Sequence, residues 1–406
     1  AQDANKGIIF GTGANIDSGS RITINKNNSA VNRDVHWDKS YKTNIGVDFQ
    51  VLNKRLAVSA EYYNEKNREM LMNIKQSVPS TVGTQSAAVN LGEMNSWGWE
   101  LSVNWRDKIG KDFKYRIGLN TGYRDNEVLV MDWVTGNSLY RQITKGHRTD
   151  MGLWGMQCIG MFRSFQDINE YFDMYMKKED GSYGTYMGMT KEQVRPGMLI
   201  YKDVRGALQE NGTYAGPDHN VDEELDQVQL SNRTNPYGFT INAGAEWKGI
   251  SLTAQFGASW GGYTVVPSAA LKPNGSLEYC NMPSFWNPNN MFVYQDIYDG
   301  SGNLLMEANR DAQYPNLAYS NVNAVTSSFW RVSAARVALN RLTLAYTIPS
   351  SLYKKFGINN IRVNVTGQNV LNFYNPYPDK FMNPMAGTYG SYPNLRKWTV
   401  GVNLSF

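Results

Sequence analysis

The sequence has 406 residues, enough for one large barrel or two ordinary domains. Hydrophobic residues make up 41% and no apolar run reaches the roughly 18 residues of a transmembrane helix, so helical membrane spans are excluded. The net charge of +4 comes with no concentrated basic stripe, which excludes an electrostatic nucleic-acid footprint.

The first alternating run is at 43–51. Ile45, Val47, Phe49 and Val51 share one face, and Asn44, Gly46, Asp48 and Gln50 the other. A turn at Asn53-Lys54 leads into Leu56, Val58, Ala60 and Tyr62, which alternate with Ala57, Ser59 and Glu61. Two such runs joined by a tight turn predict a hairpin. Next, Trp97, Trp99, Leu101, Val103 and Trp105 oppose Gly98, Glu100, Ser102 and Asn104. After a turn at 107–112, Phe113, Tyr115, Ile117, Leu119, Thr121 and Tyr123 face away from Lys114, Arg116, Gly118, Asn120 and Gly122. Phe239 to Trp247 and Ile250 to Trp260 form a third predicted hairpin about Lys248-Gly249. The last third adds Leu342, Leu344, Tyr346 and Ile348, then Ile361, Val363 and Val365. The final strand is Trp398, Val400, Val402, Leu404 and Phe406.

These runs match the length of about 9–11 residues that crosses a bilayer, and the spacing predicts roughly ten to fourteen strands. The mean hydropathy of −0.49 is compatible with a barrel, whose strands alternate. Three features favour a transmembrane antiparallel β-barrel over a β-sandwich. The polar face is rich in Gly, Asn, Ser, Thr and Gln, as a wet lumen requires. Trp97, Trp105, Tyr123, Trp247, Trp260 and Trp398 stand at strand ends, where amphipathic rings favour the headgroup level. Short turns alternate with long segments at 64–96, 124–238, 262–329 and 372–396. The whole of 1–406 reads as one barrel domain with long external loops at about 124–238, 262–329 and 372–396.

Catalytic and metal chemistry find no candidates. There are three histidines, no nucleophile elbow and no metal-site spacing around Cys158 or Cys280, which either pair or stay as two thiols. No cofactor, metal or enzymatic activity is expected. In the long loops Trp133, Trp154, Phe285, Trp286 and Tyr389 lie among Asn287, Asn289 and Asn290. Such aromatic faces with amide groups suit a sugar or peptide, or else they pack loops together. Ala1-Gln2-Asp3-Ala4-Asn5 has neither a basic nor an apolar leader region. A barrel must be exported, so the chain is expected to be mature, processed or truncated upstream.

Longer segments resemble the SusC/RagA family of TonB-dependent transporters. Val35-His36-Trp37-Asp38-Lys39 with Asn44-Ile45-Gly46-Val47-Asp48 resembles the family's entry into a barrel strand. Tyr62-Tyr63, Met70-Leu71, Pro79, Gly83, Gly98-Trp99-Glu100 and Asn120, Tyr123 and Asn126 follow in family order. So do Gly146-His147, Gly160-Met161-Phe162, Pro196-Gly197, Lys202-Asp203 and Asn235-Pro236-Tyr237-Gly238-Phe239. Leu342 to Pro349 is similar to "LTLGYTLP", and Val365 to Leu371 resembles the "GxNLF" strand. The terminal alternation ending at Phe406 resembles the signal read by outer-membrane assembly machinery.

The resemblance implies the C-terminal part of a 22-strand barrel in the outer membrane of a Gram-negative bacterium, with the plug and early strands absent from this chain. It implies a SusD-like surface lipoprotein, TonB acting through the missing N-terminal segment, and an oligosaccharide as substrate, with an oligopeptide second. Outer-membrane lipids would be the surroundings. A passive porin or surface-binding barrel is the alternative, and a soluble β-sandwich lectin a more distant one. One departure follows Asp203, where the family often has an "NGDG"-like acidic turn. Here Arg205-Gly206 precede Asp218, Asp222 and Asp226, read as solvated loop carboxylates together with Glu223-Glu224.

Overall fold

The computed structural model describes residues 9–10, 24–25, 32–73, 87–131, 139–272, 282–353, 355, 357–384, 389–390, 392 and 394–406. Trp133, Cys280, Pro79 and Gly83 lie outside them. The fold is dominated by one antiparallel sheet of nine strands. In chain order they are β1 (Lys39–Val51), β2 (Leu56–Asn73), β3 (Ala88–Ile109), β4 (Phe113–Val130), β5 (Tyr237–Trp247), β6 (Ile250–Trp260), β7 (Arg336–Thr347), β8 (Asn360–Tyr374) and β9 (Lys397–Ser405). Each pairs with its neighbours in that same order. This is an up-and-down meander, the connection pattern that hairpins dictate.

Among the described residues the sheet has fewer strands than the ten to fourteen expected, and extended pieces of the long loops pair locally instead of joining it. Leu153–Met156 pairs with Gln227–Ser231, and Cys158–Met161 with Leu199–Tyr201. Strands β2, β3 and β4 run longer than a bilayer crossing needs, at 18, 22 and 18 residues.

The chain divides into two compact units. The larger is Gly46–Ala60, Glu100–Tyr123 and Asp150–Phe406.

 The smaller unit is Ala1–Ile45, Glu61–Trp99 and Arg124–Thr149. In the smaller unit, ion pairs tie the long strand ends together: Glu69 meets His36 Nε2 and Lys39 Nζ, both at 2.6 Å, and Arg68 Nε meets Glu93 at 3.2 Å.

In the larger unit the turns are tight. Lys248 and Gly249 both have positive φ, 46° and 86°, the signature of the mirror-image turn that matches strand twist. A Cβ at Gly249 would stand 2.9 Å from the Thr347 carbonyl oxygen, so position 249 has no room for a side chain. At the sheet edges, β1 is exposed along its whole length and β9 along nearly all of it.

Candidate functional site

Register fixes which residues share a face, because directly paired residues point the same way. One row runs Tyr115, Ala245, Leu252, Leu344, Val365 and Val400. Leu252, Leu344 and Val400 are 45%, 52% and 71% exposed, so nothing covers this apolar face among the described residues of the larger unit. A soluble sandwich would cover it with a second sheet. The row beside it runs Arg116, Gly244, Thr253, Thr343, Thr366 and Thr399, on the opposite face. The next polar row is Gly118, Asn242, Gln255, Arg341, Gln368 and Lys397. One sheet therefore has an apolar side and a hydrogen-bonding side, as the alternation predicted.

Aromatic residues mark both ends of the apolar face. β5 begins at Tyr237 and ends at Trp247, and β6 ends at Trp260. Tyr123 stacks on Tyr237 with ring centroids 5.7 Å apart, and Trp105 Nε1 donates to the Tyr115 hydroxyl at 3.3 Å. Trp247, Trp260 and Trp398 are about half exposed, and Trp97 is half-buried in the smaller unit. The Trp398 ring lies against Gly367, where a Cβ would come within 2.8 Å of it.

At the short-turn end the polar face holds a recess of about 750 Å³. Arg55, Arg106, Lys108, Lys114, Arg116 and Arg362 line it, against the carboxylates of Asp107 and Glu246. Asp107 pairs with Arg55 at 3.1 Å and Glu246 with Lys114 at 3.8 Å. Periodicity places Lys114 and Arg116 on the polar face but gives no sign that the other residues converge on them.

The long loops of the larger unit build a packed body. Tyr186 and Tyr201 are fully buried and stacked, and the Tyr201 hydroxyl donates to the Val322 carbonyl at 2.9 Å. Asn323 accepts from the Leu199 N–H at 2.8 Å and donates to the Gly197 and Asn316 carbonyls. All of these bonds except Asn323 to Asn316 join segments more than a hundred residues apart, a distance at which single-sequence patterns carry no signal.

Asp226 corrects an expectation. Its place in an acidic loop predicts a solvated carboxylate, but it is 1% exposed. Its Oδ1 accepts from the N–H groups of Val204 and Arg205 at 2.7 and 3.1 Å, and its Oδ2 from that of Asp222 at 2.9 Å. A turn that must satisfy three inward-pointing N–H groups holds a carboxylate inside. Glu223 and Glu224 are exposed, as expected.

Asp203 lies beside it, also buried, and its Oδ2 accepts from the His219 N–H at 2.8 Å. Burial and then the charge of Asp226 push the Asp203 carboxyl up to about 6. A raised carboxyl takes up a proton in the folded state before it does in the unfolded chain. The resulting stability is full below the ordinary value near 4 and is lost as pH rises through about 6. The loop body is therefore expected to be more stable at pH 5 than at pH 8, by about 1–1.5 kcal/mol. Hydrogen exchange of 199–205, corrected for intrinsic rates, checks this. Asp203→Asn should flatten the dependence, and an unchanged slope in that variant would contradict the assignment.

The loop aromatics proposed to meet a ligand fall in different places. Phe285 is fully buried, with Tyr314 4.9 Å and Trp286 5.1 Å away between ring centroids, so it has no face to offer a solute. Loop packing, the other reading of this residue, is what its surroundings show. Trp286 is half-buried and its Nε1 donates to the Ala270 carbonyl at 2.9 Å. Tyr389 packs on Phe381 at 5.5 Å. Trp154 donates to the Met151 carbonyl at 3.0 Å in a different part of the body. Three of the five thus surround one aromatic core, and Trp154 stands apart. Cys158 is a free thiol, half-buried. No metal-holding group of side chains occurs among the described residues.

No family model matches the chain. It is 24% identical over 395 residues to TonB-dependent receptor P3 of Formosa agariphila, a match covering 92% of this chain and 35% of that protein. It is 27% identical over 124 residues to TonB-dependent receptor SusC of Bacteroides thetaiotaomicron, covering 30% of this chain and 12% of the relative. Among solved structures, the RagAB peptide importer in its closed-closed state superposes with a TM-score of 0.65 at 19% identity, over 99% of this chain and 39% of that one. The chain thus spans about a third of the length of the receptor it matches over most of its own.

Proposed function

We propose that this chain, which in sequence and fold is of the SusC/RagA type of TonB-dependent transporter, forms part of the wall of an outer-membrane importer. The observation that carries this is the two-faced sheet: an uncovered apolar face bounded by aromatic rings, and a polar face lined with hydroxyl, amide and guanidinium groups. An open sheet edge in lipid leaves backbone groups unpaired. The exposed edge strands β1 and β9 are therefore assigned partners from other parts of a longer protein, whose plug would carry the contact with TonB.

The girdle role of Trp97, Trp105, Tyr123, Trp247, Trp260 and Trp398 belongs to this reading, as does Phe406 as an assembly signal. The long loops face the cell exterior, where a SusD-like lipoprotein would close over them. Trp154, Trp286 and Tyr389 remain proposed contacts for an oligosaccharide, or an oligopeptide as second choice; Trp133 is proposed with them on sequence alone. The importer needs no cofactor and is not an enzyme in this account.

Deleting the gene is expected to abolish growth on the cognate oligomer, with restoration by the full gene and sensitivity of uptake to a protonophore. Uptake that persists in the presence of the protonophore would instead favour the passive porin.

A further inference from the structure

We propose that Arg116 and Arg362, with Arg106 beside them, form an anion site that takes a carboxylate at the short-turn end of the polar face. The proposal rests on reading that face as the wall of the passage. Both carboxylates of the recess are already paired, with Arg55 and Lys114. Arg116 has no hydrogen-bond or ion-pair partner among the described residues. Arg362 donates to the Ser251 hydroxyl at 2.8 Å, and Arg106 Nε to the Lys54 carbonyl at 3.0 Å; neither acceptor is charged. Several guanidinium groups gathered on one wall repel each other unless an anion joins them.

The recess is also shaped for its arginine. The Arg116 side chain crosses Gly244, where a Cβ would stand 2.8 Å from its Nε. Ser251 and Thr253 add hydroxyl donors along the same lining. Guanidinium groups bind carboxylates through paired N–H donors, which a lone ammonium cannot do. The carboxylate comes either from the transported solute or from residues of the longer protein outside this chain.

The test uses the full-length protein in detergent, carrying Arg116→Lys, treated with a water-soluble carbodiimide with and without succinate as probe. Peptide mass mapping then reads which carboxylate has joined the new amine. A link to a residue outside 1–406 supports the site with the protein itself as source. An adduct with succinate supports it with a solute as source. The Lys114–Glu246 link is the control that the reagent reaches a folded recess. With that control present, an amine at 116 that joins nothing, or only Asp107 or Glu246, overturns the proposal. If the variant loses the control link, Arg362→Lys is read in the same way. Uptake plays no part in this readout, so failure of the import reading and failure of the anion site are distinguished.

Discussion

Asp226→Ala is expected to destabilise the loop body by about 2–4 kcal/mol, because three half-buried N–H groups lose their acceptor at once. The carboxylate ties 204–205 to 222, and the Arg205 guanidinium bonds the Leu225 and Gln227 carbonyls on either side of it. Asp226→Asn keeps one oxygen acceptor and should lose less. Hydrogen exchange over 199–230 in the full-length protein measures the effect, with the sheet strands as internal reference. A loss below about 1 kcal/mol for the alanine variant would mean that the buried carboxylate is not the tie described here.

Ile117→Arg should be the most damaging single change in the sheet. Ile117 lies midway between Phe113 and Tyr123 on the apolar face and is 52% exposed. A charge at the middle of the apolar band costs about 2–4 kcal/mol. Asn120→Arg, three residues on and on the polar face, should change stability by no more than about 1 kcal/mol. Urea unfolding of the full-length protein in lipid vesicles compares the two. Equal costs would remove the distinction between lipid face and lumen face.

The sheet was legible because its physics is local. A period of two, a tight turn and an aromatic at each end fit within a window of about twenty-five residues, and Phe239 to Trp260 shows all three. The loop body was not legible. Asp226 was assigned to solvent because an acidic turn reads as hydrated until the three N–H groups it accepts from are known. Phe285 was offered to a ligand because a ring in a long loop looks the same in sequence whether Tyr314 and Trp286 cover it or not. Arg116 stood on its predicted face, but its convergence with Arg362 depends on pairing across five strands.

The most direct test of the two-faced wall is a nitroxide scan of 115–120 in the full-length protein, reconstituted in lipid vesicles with its native cysteines replaced. Labels at 115, 117 and 119 should be relaxed by oxygen dissolved in the bilayer, and those at 116, 118 and 120 by a water-soluble nickel complex. The same relaxation at odd and even positions, or the opposite phase, would contradict the account.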